Sequence, residues 1–224
     1  MRAVSSFLQS ILGGVAIGIG GAVYLSLDNK VLGALLFSVG LFTVCTFGFN
    51  LFTGKVCYIF DNKPSYALFT LTVWIGNLLG TAIVGLLLRA TRVSVLVETA
   101  RAVSQVKLDD SLLSLFILGI FCNFLIYIAV DGFRNNPHEI GKYIGIVFCV
   151  MAFILCGSEH CVADMFYFTM AGVWSGKAVL HIVVISLGNV VGGVLIPLYR
   201  KLKNYAERSA GEEASDKTPV GSAK

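Results

Sequence analysis

Seven stretches of the chain contain no Asp, Glu, Lys or Arg, and they restrict the possible folds more than any other feature of the sequence. They cover residues 3–27, 31–54, 64–88, 111–130, 143–158, 165–176 and 178–199. About 20 apolar residues cross the hydrocarbon core of a bilayer, so the first four stretches and the last are each long enough. We interpret the two short stretches, 143–158 and 165–176, as the halves of one broken span. The sequence therefore predicts an all-α membrane protein with six transmembrane helices.

The overall composition excludes most soluble proteins. Hydrophobic residues make up 56% of the 224 residues and charged residues 13%, whereas a soluble domain usually has about 25% charged residues. Lys and Arg lie between or after the apolar stretches, which suits an aqueous membrane face and argues against a nucleic-acid partner. The sequence has no HExxH, GxSxG, Walker or dinucleotide-binding motif, and its cysteines show neither CxxC pairs nor a His at metal-ligand spacing. We therefore expect no enzyme, no cofactor and no metal site.

The distribution of positive charge predicts the topology. With six spans, both termini lie on the same side of the membrane. If that side is the cytoplasm, cytoplasmic segments hold 11 of the 17 Lys and Arg residues and outer segments hold 6. Because positive residues concentrate on the cytoplasmic side of membrane proteins, we expect a multi-pass protein of the cell's inner (plasma) membrane with both termini in the cytoplasm.

The sequence repeats itself near half its length. Residues 75–80 (IGNLLG) match residues 187–192 (LGNVVG) at an offset of 112, and residues 11–13 match residues 117–119 (ILG in both) at an offset of 106. Each copy contains three spans, an odd number, so the second copy enters the membrane from the opposite face. This predicts two inverted three-helix repeats.

Glycines and polar residues interrupt the second and the fifth span. The second span contains GFNLFTGK at 48–55 and the fifth contains CGSEHC at 156–161, with Thr53 and His160 separated by 107 residues, nearly the offset of the repeat. Backbone groups freed by such a break need water or protein partners, which they find where the chain lines a cavity or a packed interior. Two broken helices that meet at the centre therefore predict a pore or a binding site.

This organisation predicts a transmembrane channel domain over residues 1–203, with repeat halves at about 5–90 and 111–203. The linker 91–110 carries apolar residues at helical spacing, which predicts an amphipathic helix along the membrane interface. Residues 204–224 are polar and small, without apolar periodicity, and are predicted to form a disordered cytoplasmic tail.

Glu159 and His160 are the most informative ionisable residues, because both cost several kcal/mol inside a membrane unless they are paired, hydrated or functional. His160 can donate a hydrogen bond to an anion or pass it a proton near neutral pH; alternatively, both residues only satisfy the broken backbone. For Glu159 we favour a role in holding loop backbone amides. Asp164, one turn beyond His160, can bond to the histidine or, as we expect, face the outlet and solvent.

Other polar residues have ordinary interpretations when they are taken alone. Lys55 can extend to the membrane surface, and Lys107 can be a surface lysine. Asn77 and Asn189 lie in mid-span between glycines, where an amide most often bridges helices or caps broken backbone.

Several short motifs occur in a defined order: GGVAIGIGGA in the first span, LFTG at 51–54, GNxxG in the third span, CN followed by AV in the fourth, GxEHxxAxMF at 157–166 and GNxxGG in the sixth. In their order and spacing the chain resembles the formate/nitrite transporter family, over about residues 5–203. The resemblance implies a homopentamer of aquaporin-like protomers, each with its own pore for small monovalent anions such as formate, nitrite or hydrosulfide.

The resemblance also implies roles for individual residues. His160 would be the central pore histidine, Thr53 the threonine that faces it, and Lys107 the lysine that attracts the anion. The other expected pore residues are Asn123, Asn189 and Glu159, and two hydrophobic constrictions would contain Phe37, Leu41, Leu51, Phe153 and Ala163.

The chain departs from the family pattern at Asn50, where many members have an acidic residue, at Asp164, where Asn is usual, and in a shorter segment between the last two spans. LFTGK, with Lys55, is more similar to the short branch that includes hydrosulfide channels. The leading hypothesis is a passive or proton-coupled pore for a small weak-acid anion. The alternatives are a channel for water or small neutral solutes on the same scaffold, and a membrane scaffold protein with a closed pore.

Overall fold

The structure is a computed structural model that describes residues 2–216, with side chains for residues 3–209. The regular secondary structure of the described residues is entirely helical. The helices are α1 (Arg2–Leu25), α2 (Lys30–Phe37), α3 (Val39–Phe47), α4 (Phe52–Val56), α5 (Ser65–Arg89), α6 (Leu96–Asp109), α7 (Leu112–Asn135), α8 (Glu139–Leu155), α9 (Cys161–Ala171) and α10 (Gly176–Asp216). Short 3₁₀ turns cover Ile59–Asp61 and Arg92–Val95.

Five segments of the described chain are long and apolar enough to cross a membrane, namely residues 3–25, 30–47, 65–89, 112–135 and 176–209. The predicted fifth span is different, because it forms α8 and the shorter α9 with a break between them. By length and composition, these helices are those of a multi-span membrane protein.

A glycine with left-handed backbone begins each of the two predicted breaks. Gly48 ends α3 and Gly157 follows α8, each with a φ of 69°, a conformation that favours glycine. A Cβ atom at either position would meet nothing within 4 Å, so the backbone conformation, and not a lack of space, requires glycine. Leu51 and His160, the residues just before α4 and α9, are extended. The two breaks therefore have the same local backbone conformations: a left-handed glycine, and an extended residue just before the next helix.

Glycines also allow two helix pairs to pack with their backbones in contact. A Cβ atom on Gly80 of α5 would lie 2.0 Å from the carbonyl oxygen of Ile11 on α1. A Cβ atom on Gly192 of α10 would lie 2.0 Å from the carbonyl oxygen of Ile120 on α7. These glycines occupy the same position of the repeated GNxxG motif, so the repeated motif produces the same packing twice.

The short helix α9 lies in the interior of the protein, and all 11 of its residues are buried. Two arginines bind the carbonyl groups of its last turn: Arg89 of α5 donates to the oxygen of Thr169 (3.3 Å), and Arg101 of α6 donates to the oxygen of Ala171 (3.3 Å). Positive charge at a helix C-terminus is stabilising. These contacts fix the helix whose first turn contains the candidate site.

The predicted linker helix is present as α6. Leu96, Ala100 and Ser104 are buried, with α6 packed against α9, whereas Val106, another apolar residue of the linker, is 74% exposed. Lys107 lies in the last turn, and its side chain is only 12% exposed. One face of this helix therefore packs on the protein; its position along a membrane interface stays a prediction.

The last helix is longer than the sequence predicts. Residues 204–216, the first part of the predicted disordered tail, continue α10 as far as Asp216. The segment contains Ala, Glu and Arg, which favour helix, and this accounts for the difference. Residues 217–224 of the predicted tail lie outside the described residues.

The start of α1 and the C-terminal part of α10 lie at the same end of the protein. Asn50, in the first break, donates from Nδ2 to the carbonyl oxygen of Ser6 (3.0 Å). Lys201 of α10 donates to the carbonyl oxygen of Phe60, shortly after that break (2.8 Å). Tyr24 lies near the opposite end, about 27 Å from Ser6 along the axis of α1.

Candidate functional site

His160 caps the start of α9 and directs its ring towards α4. Its Nδ1 accepts a hydrogen bond from the backbone N–H of Ala163 (3.1 Å), and its Nε2 lies 3.0 Å from Oγ1 of Thr53. Because Nδ1 accepts the capping bond, a neutral ring carries its proton on Nε2 and donates to the threonine hydroxyl. A second proton on the ring would break the cap. The local structure therefore holds His160 as a neutral hydrogen-bond donor.

An asparagine of α5 holds the first break. Asn77 donates from Nδ2 to the carbonyl oxygens of Ser10 (2.7 Å) and Asn50 (2.9 Å), and its Oδ1 accepts from the N–H of Phe52 (2.8 Å). The amide thus satisfies two backbone groups of the break, the carbonyl of Asn50 and the N–H of Phe52, and also ties the break to α1 through Ser10.

An asparagine of α10 makes the same three bonds at the second break. Asn189 donates from Nδ2 to the carbonyl oxygens of Gly119 (2.8 Å) and Glu159 (2.9 Å), and its Oδ1 accepts from the N–H of Cys161 (3.0 Å). We call these two arrangements the asparagine clamps. They place Thr53 and His160 by holding the backbone next to each of them.

Asn123 of α7 connects the two halves of the chain. Its Nδ2 donates to the carbonyl oxygens of Thr53 (3.1 Å) and Asn189 (2.6 Å). Its Oδ1 is buried and has no hydrogen-bond partner among the described residues. A buried acceptor of this kind is available to a donor on a water molecule or a small solute.

Aromatic rings pack against the imidazole. Phe153 stacks on His160 with ring centroids 5.8 Å apart and an interplanar angle of 19°. Phe37 meets Phe153 edge to face, with centroids 6.2 Å apart. The other predicted constriction residues, Leu41, Leu51 and Ala163, are buried as well.

Two cavities approach the contact between Thr53 and His160 from opposite ends of the protein. The larger has a volume of about 260 Å³, and we call it the Lys107 cavity; its lining includes Tyr24, Phe37, Lys107, Phe153, Glu159, His160, Ala163 and Asp164. The smaller has a volume of about 120 Å³, and we call it the Lys55 cavity; its lining includes Leu51, Gly54, Lys55 and Arg134. The Lys55 cavity lies at the end that holds the start of α1.

One ammonium group and two carboxylates meet in the Lys107 cavity. Nζ of Lys107 bonds to the carboxylate of Glu159 and lies 3.0 Å from Oδ1 of Asp164. The three side chains are 12%, 6% and 1% exposed, respectively. Because they are nearly free of water, their charges interact with little screening. Lys107 Nζ also lies 5.9 Å from the ring centroid of Tyr167.

The Lys55 cavity has the opposite charge. Lys55 and Arg134 line it, and its lining among the described residues includes no Asp or Glu. Neither side chain forms an ion pair within the described part of the chain. The guanidinium group of Arg134 packs over the ring of Tyr58, 5.0 Å from its centroid. An anion therefore meets net positive charge at this end of the protein.

The structure brings predicted site residues together from distant parts of the sequence, but it differs from two expectations. Asp164 does not face solvent, because it is 1% exposed and paired with Lys107. The carboxylate of Glu159 bonds to Lys107 and not to loop amides, because the second break turns it towards α6. Sequence reasoning missed Asp164 as a partner of Lys107. The signal that could have found it is an acidic residue in the first turn of an otherwise apolar helix.

Comparison with known proteins identifies the family. The model of the formate/nitrite transporter family matches residues 1–200. The chain belongs to the formate/nitrite transporter family. Relatives include the uncharacterised transporter YrhG of Bacillus subtilis (strain 168), which is 33% identical over 183 residues, or 75% of this chain and 68% of that protein. The nitrite transporter NirC of Salmonella typhimurium is 28% identical over 217 residues, or 84% of this chain and 79% of that protein.

Solved structures of formate/nitrite transporters have the same fold. A pentameric formate channel with formate bound superposes with a TM-score of 0.78 at 27% identity, covering 91% of this chain and 98% of that chain. An ion channel of the same family superposes with a TM-score of 0.77 at 23% identity, covering 87% of each chain. The protein is thus an all-helical membrane protein, and its relatives are channels and transporters, not enzymes.

Proposed function

We propose that this formate/nitrite transporter is a channel for small monovalent weak-acid anions such as formate, nitrite or hydrosulfide. The observation that carries the proposal is the hydrogen bond between His160 and Thr53, which two cavities approach from opposite ends. A pore that narrows to one hydrogen-bond donor between apolar walls suits a small solute that has lost its water shell.

In this proposal, the residues that line the two cavities have different roles along the pore. Lys55 attracts the anion at one end. At the other end Lys107 supplies a positive charge that Glu159 and Asp164 offset. The rings of Phe37 and Phe153 exclude hydrated ions. His160 then offers its Nε2–H to the anion in place of the threonine hydroxyl, and Asn123 and Asn189 hold the backbone around it. Crossing the apolar sections as a neutral acid avoids most of the free-energy cost of carrying a charge through them.

The proposed architecture is a homopentamer in the plasma membrane, with six spans per protomer and both termini in the cytoplasm. The pentameric formate channel supports the assembly. The matched packing at Gly80 and Gly192, together with the two asparagine clamps, supports two inverted three-helix repeats within a channel domain of residues 1–203. The excess of Lys and Arg in the cytoplasmic segments, 11 against 6, supports the orientation.

Flux into proteoliposomes tests the proposal. The purified full chain is expected to carry formate, nitrite or hydrosulfide much faster than protein-free liposomes do, while glycerol and water flux stay at the protein-free level. Flux of water or glycerol alone would instead support the channel for neutral solutes. Absence of flux for every solute would support a scaffold protein with a closed pore.

A further inference from the structure

We propose that Glu159 and Asp164 together form a proton-binding site in the Lys107 cavity, and that the proton held there is given to the anion that enters. The inference rests on the proposed function, because it locates the proton that accompanies the anion. Three observations carry it, namely the charge of the cluster, an unpaired carboxylate oxygen and the position of both residues on the cavity wall.

The first observation is the charge. With all three side chains ionised, Lys107, Glu159 and Asp164 leave one negative charge uncompensated. The two carboxylate side chains are 6% and 1% exposed, and an uncompensated charge in such a site costs several kcal/mol. Two carboxylates on one ammonium group disfavour each other's ionisation, so the pair binds one proton. That single proton makes the whole cluster neutral.

The second observation is an oxygen atom that can hold the proton. Oδ1 of Asp164 lies 3.0 Å from Nζ of Lys107, whereas Oδ2 is buried and has no hydrogen-bond partner among the described residues. An ionised oxygen at that position lacks a donor. A protonated oxygen is itself a donor and needs only an acceptor, which the Glu159 carboxylate or an anion in the cavity supplies.

The third observation is the position of Glu159 and Asp164 on the wall of the Lys107 cavity, which His160 also lines. His160 is adjacent to Glu159, but its Nδ1 is engaged as the cap of α9, so the ring is poorly placed to store an extra proton. Arg89 and Arg101 bind the far end of α9. The titratable groups that face the pair from the neighbouring helices are Tyr24 on α1, Lys107 on α6, Cys122 on α7, Tyr167 on α9 and, through the backbone of Lys107, His181 on α10.

The proton transfer is a simple acid–base exchange. An anion A⁻ in the Lys107 cavity takes the proton from the carboxyl group of the pair, which forms HA and leaves a carboxylate. Neutral HA passes the aromatic rings and His160 and releases its proton to water in the Lys55 cavity. The pair then regains a proton from water in the Lys107 cavity. One anion and one proton therefore cross together. The unprotonated pair repels the next anion until it has bound a proton again.

Infrared spectroscopy of the full chain in lipid tests the proton site without transport. The parent protein is expected to show the C=O stretch of a protonated carboxyl group near neutral pH. Asp164→Asn and Glu159→Gln should each abolish this band, since either variant leaves one carboxylate to balance Lys107. Asp109→Asn is the matched control, because Asp109 ends the same helix as Lys107 but is exposed. A band that is missing from the parent, or that survives both substitutions, overturns the proposal.

Formate flux at equal pH on both faces of the vesicle tests the role in transport. As the pH rises the parent pair loses its proton and then repels the anion, whereas Asp164→Asn has no such proton to lose. The ratio of flux at about pH 5.5 to flux at about pH 8 should therefore fall at least about threefold in Asp164→Asn, relative to both the parent and Asp109→Asn. An unchanged ratio contradicts the transport role. If the parent carries no formate, the proposed function fails, and the infrared band still decides whether the proton site exists.

Discussion

At the scale of single residues, the orientation of His160 limits what the residue can do. Its Nδ1 is occupied by the N–H of Ala163, so only Nε2 faces Thr53. A ring held this way offers a hydrogen bond to a passing anion without becoming a cation. This favours a neutral donor at the centre and a separate store for the proton.

Two substitutions of His160 test whether its hydrogen bonds are needed for flux. Asn is a preferred N-cap residue and keeps both an acceptor and a donor, so His160→Asn should retain formate flux close to that of the parent. His160→Phe loses both bonds and should lower formate flux about tenfold or more, as expected when a hydrogen bond to a charged group is removed. Proteoliposome flux measures the effect, with pentamer size in detergent as the control for assembly. Parent-like flux in the Phe variant would return His160 to a structural role.

Lys107 compensates two buried carboxylates, and its removal should be costly. Lys107→Gln is expected to destabilise the protein by about 3 to 5 kcal/mol, because it leaves buried negative charge without a partner, and to lower anion flux as well. Lys142→Gln is the matched control, since Lys142 pairs with the exposed Glu139 and such surface pairs contribute about 1 kcal/mol or less. Thermal unfolding in detergent and flux in liposomes provide the measurements. Equal unfolding temperatures for the two variants would contradict the buried cluster.

Sequence reasoning at this scale depended on whether a pattern in the sequence connects the interacting residues. The sequence related Thr53 to His160 because the internal repeat joins them at nearly its own offset. It could not relate Lys107 to Glu159 and Asp164, because the pairing depends on how α6 packs against α9. Taken alone, Lys107 resembled a surface lysine, and only the family resemblance suggested otherwise.

At the scale of helices, close backbone packing sets the position of both breaks. Asn77 and Gly80 lie on one helix, as do Asn189 and Gly192, so the glycine that brings a helix against its neighbour also positions the clamp. The sequence predicted the two breaks and the repeated motif. It did not predict the bonds of the clamps, because each joins residues from three different segments.

Glycine substitutions test the packing directly. Gly80→Ala places a Cβ atom 2.0 Å from the carbonyl oxygen of Ile11, so α1 and α5 must separate. We expect a loss of about 1 to 3 kcal/mol, typical of overpacking. Gly132→Ala in α7 meets nothing within 4 Å and should be neutral or stabilising by up to about 1 kcal/mol. Thermal unfolding of the two variants gives the comparison, and equal stability would contradict the close approach of α1 and α5.

At the scale of the whole molecule, the two ends of the proposed pore differ in charge. The Lys55 cavity presents Lys55 and Arg134, whereas the cation of the Lys107 cavity is matched by two carboxylates. Attraction of an anion from solution is therefore stronger at the end with the start of α1, and it weakens as salt screens the exposed charges. The proton site lies at the other end.

Neutralisation of Lys55 should expose this asymmetry. Lys55→Gln is expected to lower formate entry from the side of the Lys55 cavity about threefold at low ionic strength and to have less effect at high salt. Entry from the opposite side should change less. Lys63→Gln is a suitable control, because Lys63 is exposed and follows the same break. Flux in membrane vesicles of each orientation distinguishes the two sides, and a loss that is equal from both sides would contradict the prediction.

Each asparagine clamp bonds only to residues of its own half of the chain: Asn77 to partners before α6, and Asn189 to partners after it. The protein should therefore assemble from two separate fragments of its chain. Two separately translated pieces, cut in the exposed turn Arg92–Val95, would each contain a complete break. The pieces would rejoin through the hydrogen bond of Trp74 to Ser186 (2.9 Å) and the bond of Asn123 to Thr53. A two-piece channel of this kind would allow either half to be exchanged for that of a relative, which would show which half determines the choice of anion.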